Sequence, residues 1–563
     1  MTAESRPPAK RHSVIIVGGG PIGLCLAADL GSRGVDCVLL EQTDNHTRSA
    51  RIMQIAVSTM EICRRFGIAE KVKNWGFPRD YPWDNVWMTS LNGYELGRVK
   101  MASLAETRAS PFSPEFQCHC PQTWFEPILR DAAMSYPSAT FRFHTRLDSF
   151  VQDGDGVRAT VTDLAAGTTE EIAADYLVGC DGYSSSVRQA LGIRMRGLEF
   201  IDHSLSIEFL TPDLPGLHNK GKALRYVCIG PEGTWASLMA VNGRDRWRVL
   251  LYGLNEDPEA VDAAAVVRRI CGRDFDFTIE SAKPWERRAV IADRFQDGRV
   301  FIAGDAAHTH LPNGGFGMNT GLGDAINLGW KLAAVVEGWA APHLLDSYDI
   351  ERRPICHRVM DEAMTEFHRF TGSPSNPHID APTKQGARVR QTIGDQIQSA
   401  YEKARGWDRL GIYLGHIYCP SPIVVDDGTA LPPDDTYGYA PSAHPGARAP
   451  HAWLDDGRSL LDLFGQTYVL LRLGANPPDA PALKAAAAAR GVTLAVHEVA
   501  SDEVAALYGC TLVLVRPDGH VAWRGDADPG NALAIIDRIR GAGIAAAARV
   551  ALAAGEEHLV PAQ

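Results

Sequence analysis

Ser13-Val-Ile-Ile-Val17, then Gly18-Gly-Gly20-Pro21-Ile22-Gly23, then an apolar-periodic run through Leu30, then Cys37-Val-Leu-Leu40 ending on Glu41: this stretch decides the fold. It reads as a strand, a glycine turn, a helix, a second strand and an acid. Gly18, Gly20 and Gly23 fit the spacing G-x-G-x-x-G. The first glycine permits a tight turn, the second lets the backbone approach a pyrophosphate, and the third lets helix and strand pack closely. The helix start then offers unpaired N–H groups and the positive end of its dipole to an anion. Glu41 stands eighteen positions after Gly23, close to the spacing expected of a carboxylate on a ribose hydroxyl. The stretch implies a dinucleotide site in a doubly wound α/β sheet.

Outward from that unit, 563 residues are too many for one hydrophobic core and imply roughly three domains. The chain is 45% hydrophobic and 22% charged, with a net charge of −12. Those values suit a globular protein and argue against a nucleic-acid partner, since no basic face is evident. Met1 to His12 is polar and leads into no h-region, so no signal peptide is read. No run of about 18 apolar residues marks a membrane span. The eleven cysteines are scattered through apparent helices and strands, which suits reduced thiols and a cytoplasmic location. Cys118-His119-Cys120 lacks a second ligand pair at a usual spacing, so no metal site is expected.

After Glu41 the sequence predicts a helix with Ile55, Thr59, Ile62 and Phe66 on one face. Arg51 precedes it and could neutralise phosphates. Trp75, Phe77, Tyr81, Trp83 and Trp87 crowd together and could wall an apolar ligand cavity. Thr123 and Glu126 have the spacing of a capping box. A buried strand breaks at Gly179-Cys180-Asp181-Gly182 into a short helix. Residues 197 to 284 alternate as an inserted antiparallel sheet. A further strand ends at Gly304-Asp305, passes through His308 to Pro312-Asn-Gly-Gly-Phe-Gly317, and opens a long helix at Met318-Asn319. Residues 371 to 450 read as a connector with one helix near Val389 to Lys403. Leu460 to Gly541 alternates strand and helix, with a hairpin at Pro517-Asp518-Gly519.

Three signatures stand in order: the glycine turn with Glu41; Asp181-Gly182 with Ser185, Val187 and Arg188; and Gly304-Asp305 through His308 to Pro312. Together they resemble the single-component flavoprotein aromatic hydroxylases, in the branch of phenol hydroxylase and hydroxyphenylpropionate hydroxylase. The resemblance implies an α/β fold: a Rossmann-like FAD-binding domain, an inserted antiparallel β-sheet substrate domain, and a C-terminal thioredoxin-like domain. On that pattern residues 1–80, 114–196 and 290–370 belong to the FAD-binding domain. Residues 81–113 and 197–289 belong to the substrate domain. The connector spans 371–450, the thioredoxin-like domain 451–545 and a tail 546–563. The last domain has Cys510 but no C-x-x-C, so packing rather than dithiol chemistry is expected of it.

The same resemblance implies that Gly18, Gly20, Pro21, Ile22 and Gly23 hold the FAD pyrophosphate and Glu41 the adenosine ribose. Arg51, Gln122, Asp181, Gly182, Asp305, Pro312, Gly317, Met318 and Asn319 complete the expected cofactor set. Tyr226 and Trp235 are expected to line the substrate pocket. Arg225, Tyr226, His310 and Pro312 are the catalytic candidates, and no base is legible. The expected reaction is hydroxylation of a phenolic ring with NADH or NADPH and O₂ through a C4a-hydroperoxyflavin. The rival readings are a Baeyer–Villiger or other flavin oxidoreductase on an aromatic or polyketide substrate, and a non-catalytic FAD-binding protein. Oligomeric state stays open, with homodimers common among such relatives.

Overall fold

The computed structural model describes residues 10–49, 53–254, 257–372, 375–403 and 409–542. Arg51 and the expected tail lie outside them. Five parallel strands form the centre of the first sheet, in the order Val300–Ile302, Thr168–Gly179, Lys10–Val17, Cys37–Leu40, Ala139–Arg142. Val14 stands opposite both Cys37 and Tyr176. Val14, Ile15 and Ile16 are wholly buried, as a strand covered on both faces requires. The helices Pro21–Ser32 and Phe316–Val336 pack together over this sheet. An antiparallel arm, Thr145–Gln152 and Val157–Asp163, extends from Thr168–Gly179.

The second sheet is inserted and mixed. Arg225–Gly230, Gly233–Ala240, Arg246–Leu254, Met195–Leu210 and Thr278–Ala292 are antiparallel neighbours, and Asn85–Met88 joins Arg225–Gly230 in parallel. One face carries Val86, Tyr226, Leu238, Trp247 and Val249 into an apolar core. The side-chain period of two sends their strand neighbours to the other face.

The C-terminal region is a four-stranded sheet in the order Leu494–Val499, Tyr468–Leu473, Leu512–Val515, Val521–Gly525, flanked by Pro481–Ala489, Asp502–Tyr508 and Ala532–Ile539. It is clamped to the first unit by buried charges. Arg516 donates to both oxygens of Glu351 (2.6 and 2.9 Å) and to Asp518 (2.6 Å). Lys331 Nζ also reaches Glu351, at 2.7 Å, and Trp330 Nε1 donates to Asp518 at 3.1 Å. Arg516 is fully buried. Replacing it with methionine leaves Glu351 and Asp518 short of a partner in a dry interface. We expect a loss of about 3–5 kcal/mol in denaturant unfolding, with the break located between the C-terminal unit and the rest by proteolysis.

Two local expectations are corrected. The helix here starts two positions earlier than a Thr123 cap implies, as Gln122–Met134 with Pro121 at its N-cap. Thr123 therefore sits inside the first turn, its hydroxyl is buried without a partner, and no capping box forms. Glu126 instead accepts from Thr47 Oγ1 (2.7 Å) and Gln122 Nε2 (2.8 Å). The connector helix runs Lys384–Lys403, starting earlier than its apolar periodicity suggests.

Candidate active site

Three chain turns meet at one cavity of about 680 Å³. The first is Gly18–Gly23. Gly18 has φ +106°, and a Cβ there would lie 2.4 Å from the Cys180 carbonyl oxygen. A Cβ on Gly23 would lie 2.0 Å from the Gly18 carbonyl oxygen. A Cβ on Gly20 would meet nothing within 4 Å. Gly20 thus borders open space rather than protein, and it is also the N-cap of Pro21–Ser32, which no side chain caps. The free N–H groups of that helix start face the cavity edge formed by Gly20, Pro21 and Ile22. Glu41 holds the turn from the side: Oε2 accepts from Gly19 N (2.8 Å), and Oε1 accepts from Thr43 N and Oγ1 (2.8 and 2.7 Å).

The second turn follows Gly179. Cys180, Gly182 and Tyr183 line the cavity, whereas Asp181 does not. Asp181 Oδ2 accepts from Ser186 Oγ and Val187 N (3.1 and 3.2 Å), so it secures the short helix Ser186–Ala190. Arg188 donates to the Ala306 carbonyl (3.1 Å) and ties the second turn to the third.

The third turn begins at Ala303–Asp305 and returns through Pro312–Gly315. Gly314 and Gly315 are consecutively left-handed (φ +84° and +68°) and deliver the chain into Phe316–Val336. Phe316, Gly317 and Met318, the uncapped first residues of that helix, line the cavity. A second helix dipole therefore points its positive end into the same space. The Asn319 side chain braces the arrangement. Its Oδ1 accepts from Ala56 N and Thr59 Oγ1 (2.9 and 2.7 Å), and its Nδ2 donates to the carbonyls of Gly315 and Gln54 (2.7 and 3.2 Å). Asp305, Pro312 and Gln122 also reach the cavity.

Two aimed helix starts, a glycine edge with room beside it and an acid behind the turn fit the pyrophosphate and ribose of FAD. The Gly317-Met318 end fits its ring. Gly20, Pro21 and Ile22 would border the phosphates, with Gly18 and Gly23 shaping the turn behind them; the N–H groups at Gly317 and Met318 would stabilise negative charge on the reduced ring.

The rest of the cavity wall is the outer face of the inserted sheet. Register sets it: Glu208 stands opposite Arg248, Arg248 opposite Met239, Met239 opposite Arg225, and Arg225 opposite Asn85. In the next row Lys283 stands opposite Ser206 and Ser206 opposite Leu250. From these rows Arg248, Met239, Arg225, Asn85, Lys283, Ser206 and Leu250 line the cavity, together with Trp83.

Arg248 Nε donates to Ser206 Oγ (2.8 Å). The Arg225 guanidinium makes one hydrogen-bond-range contact among the described residues, 3.9 Å to Met239 Sδ. Burial pushes its pKa down, against the pull of Tyr252 and Glu366. Among the described residues, five cationic side chains line the space (Arg225, Arg248, Lys283, Arg288, Arg409) against three acids (Asp305, Glu286, Glu366).

Tyr226 and Trp235 are not on this wall. Tyr226 follows Arg225 on the same strand, so it points to the opposite face, where its hydroxyl donates to Gly221 O (2.5 Å). Trp235 is the extra residue of a bulge between Cys228 and Ile229, and it joins the same core under the Arg269 guanidinium. Of the aromatic cluster, Trp83 lines the cavity while Phe77 and Tyr81 are core. Arg248 was not singled out by the sequence. Its lone charge between Trp247 and Val249, both apolar and both on the core face, is the signal that could have found it.

His310 reaches the cavity but has no free nitrogen. Nδ1 lies 3.3 Å from His308 Nδ1, and Nε2 lies 3.2 Å from the Cys356 carbonyl oxygen. His308 Nε2 is 2.6 Å from Asp324 Oδ2, and Arg352 Nε donates to Asp324 Oδ1 at 2.8 Å. Burial opposes charge on His308, but Cys356 and Asp324 beside it hold its pKa well above the usual value. Burial and the His308 charge push His310 down to about 3. Burial would raise the Asp324 carboxyl, yet His308 and Arg352 bring it to about 2.

These shifts have different pH consequences. His310 refuses a proton that the unfolded chain takes up below about 6.5, so it destabilises the fold as pH falls from there toward 3. The Asp324 contribution is intact above about 4 and is lost as pH falls toward 2. His308 works the other way: its contribution is complete below about 6.5 and is lost only as pH rises through its raised value. The thermal midpoint should therefore decline progressively from pH about 6 to 3. A His310→Gln variant should lose the upper part of that decline in a thermal-unfolding series.

Comparison with known proteins gives the family. A family model described as FAD binding domain matches residues 11–363, and one described as aromatic-ring hydroxylase, C-terminal, matches residues 442–542. The chain is 34% identical to the tetracenomycin B2 monooxygenase-dioxygenase of Streptomyces olivaceus, over 93% of this chain and 97% of that protein. It is 31% identical to the 2,4-dichlorophenol 6-monooxygenase of Delftia acidovorans, over 91% and 94%. The solved structure of RebC soaked with chromopyrrolic acid superposes with a TM-score of 0.88 at 39% identity, covering 95% of this chain and all of that one. The loops, the sheet face and these matches lead to one assignment: the chain belongs to the family of FAD-dependent monooxygenases in which an FAD binding domain precedes an aromatic-ring hydroxylase C-terminal domain.

Proposed function

We propose that this enzyme hydroxylates a phenolic aromatic compound bearing a carboxylate or similar anionic group, consuming O₂ and a nicotinamide reductant. The observation that carries the substrate class is Arg225, a half-buried guanidinium on the cavity wall without a protein carboxylate in hydrogen-bond reach among the described residues. A buried cation of this kind calls for an anionic partner. Relatives named for dichlorophenol and tetracenomycin support a phenolic ring, and RebC was soaked with an acid.

FAD, when bound, supplies the oxygen activation. The chain's own residues do the rest. Arg225 anchors the acid group against the sheet, and Met239, Leu250 and Trp83 pack the ring and exclude water. The cationic balance of the wall lowers the phenol's pKa, and the phenolate is the more nucleophilic form. His310, with both nitrogens engaged, and Pro312, whose carbonyl accepts from Gly315 N (3.1 Å), shape the loop rather than move protons. Gln122, Asp305 and Glu41 complete the cofactor contacts.

The nicotinamide docks transiently, since one glycine fingerprint serves the chain. The C-terminal unit is thioredoxin-like in topology and structural in role: burial pushes the Cys510 thiol up to about 11, far from a working thiolate. The scattered free thiols suit a cytoplasmic setting.

The test is NADH or NADPH oxidation by FAD-loaded enzyme across a panel of phenols with and without a carboxyl group. Carboxylated members should stimulate it most. Equal stimulation by neutral members would remove the acid from the reading. No stimulation by any phenol would count against hydroxylation and for a non-catalytic flavin protein.

A further inference from the structure

A second cavity, of about 170 Å³, lies along another face of the Phe316–Val336 helix, between it and the turn Pro517–His520 of the C-terminal unit. Ile326, Ile355, Val359 and Ile412 give it apolar walls. Three rings border it: His416, Tyr418 and His520, with Tyr418 and His520 centroids 4.3 Å apart.

Its cations are already neutralised. Arg65 is paired with Asp29 (2.6 Å), Arg352 with Asp324 (2.8 Å) and Arg448 with Glu61 (3.0 Å). Beside these pairs, Arg65 Nε and the imidazoles of His416 and His520 keep unpartnered nitrogens among the described residues. His520 is 7% exposed, its Nε2 and that of His416 are buried, and neither has a hydrogen-bond partner among the described residues. Burial holds the His416 ring well below its usual pKa, so it stays uncharged. A neutral imidazole offers one donor and one acceptor, the complement of a hydroxyl group.

Size narrows the ligand further. An apolar cavity of about 150 Å³ takes up benzene, so this one matches a single ring. We propose that this cavity binds a neutral single-ring hydroxyarene, its hydroxyl on His520, at a site separate from the flavin cavity. Tyr413 lines both spaces and donates to the Gly314 carbonyl (3.3 Å), so the occupant borders the flavin loop.

The test uses full-length, FAD-loaded protein and 4-bromophenol. Soaked crystals should show an anomalous bromine peak between the Phe316–Val336 helix and the Pro517–His520 turn. No peak there, or one confined to the flavin cavity, overturns the proposal. In solution, fluorine NMR titration with 4-fluorophenol should lose one class of binding in Ile355→Trp, which fills the space. His520→Leu should weaken that class about tenfold, the worth of one hydrogen bond. FAD content and thermal midpoint confirm that each variant is folded, and His520→Leu carries the test if Ile355→Trp is not. Binding unchanged in His520→Leu contradicts the assignment.

Discussion

A Gly20→Val protein is expected to fold normally and to bind FAD roughly 30–1000-fold more weakly than the parent. Gly20 has φ −70° and ψ −179°, an extended conformation that valine adopts without strain. Its Cβ would touch no protein atom within 4 Å. The added methyls enter the space beside the uncapped helix start, where the pyrophosphate would accept N–H bonds. Losing one or two charge-assisted bonds costs about 2–4 kcal/mol, which is that range of affinity. Gly23→Ala is the contrast: its Cβ would lie 2.0 Å from the Gly18 carbonyl oxygen, so it should damage the fold itself. Flavin titration by fluorescence quenching, beside circular dichroism, separates the two.

The second large effect is expected at Arg225. Arg225→Met keeps the stem's packing and removes the charge. If Arg225 anchors an anionic group, kcat/KM for the carboxylated substrate should fall roughly 10- to 150-fold, since hydrogen bonds to charged groups are worth about 1.5–3 kcal/mol. The loss should appear mainly in KM, and a substrate lacking the acid should respond little. Tyr226→Phe, one position along but on the other face, should leave KM unchanged and cost about 1 kcal/mol of stability through the lost bond to Gly221. Steady-state kinetics on both substrates decide the matter.

The contrast between Arg225 and Tyr226 shows how far the sequence could be read. Gly18, Gly20 and Gly23 were legible because the spacing encodes local backbone geometry that the neighbouring residues complete. Gly314 and Gly315 ahead of a long helix were legible for the same reason. The wall of the substrate space was not. Arg248, Met239, Arg225 and Asn85 form one row only through the registers of four strands, the last pairing joining residues 140 positions apart (225 − 85), and a slip of one residue exchanges the two faces. Trp235 left its expected face because a bulge added one residue. Asn319 illustrates a subtler limit: its place at a helix start was visible, but the grip of its side chain on Ala56 and Thr59 depends on a helix start 260 residues earlier in the chain. The clamp of Arg516 on Glu351 is likewise a tertiary event that neither local sequence announces.

The central claim is that three turns cradle one flavin at the edge of a sheet that presents a phenol to it. Turnover under ¹⁸O₂ with a phenol that stimulates NAD(P)H oxidation tests this most directly, by mass spectrometry of the product. The account predicts a phenol that has gained a single labelled oxygen atom on its ring. An unlabelled substrate, with all reductant recovered as hydrogen peroxide, or a label found only in an ester or lactone, would contradict it.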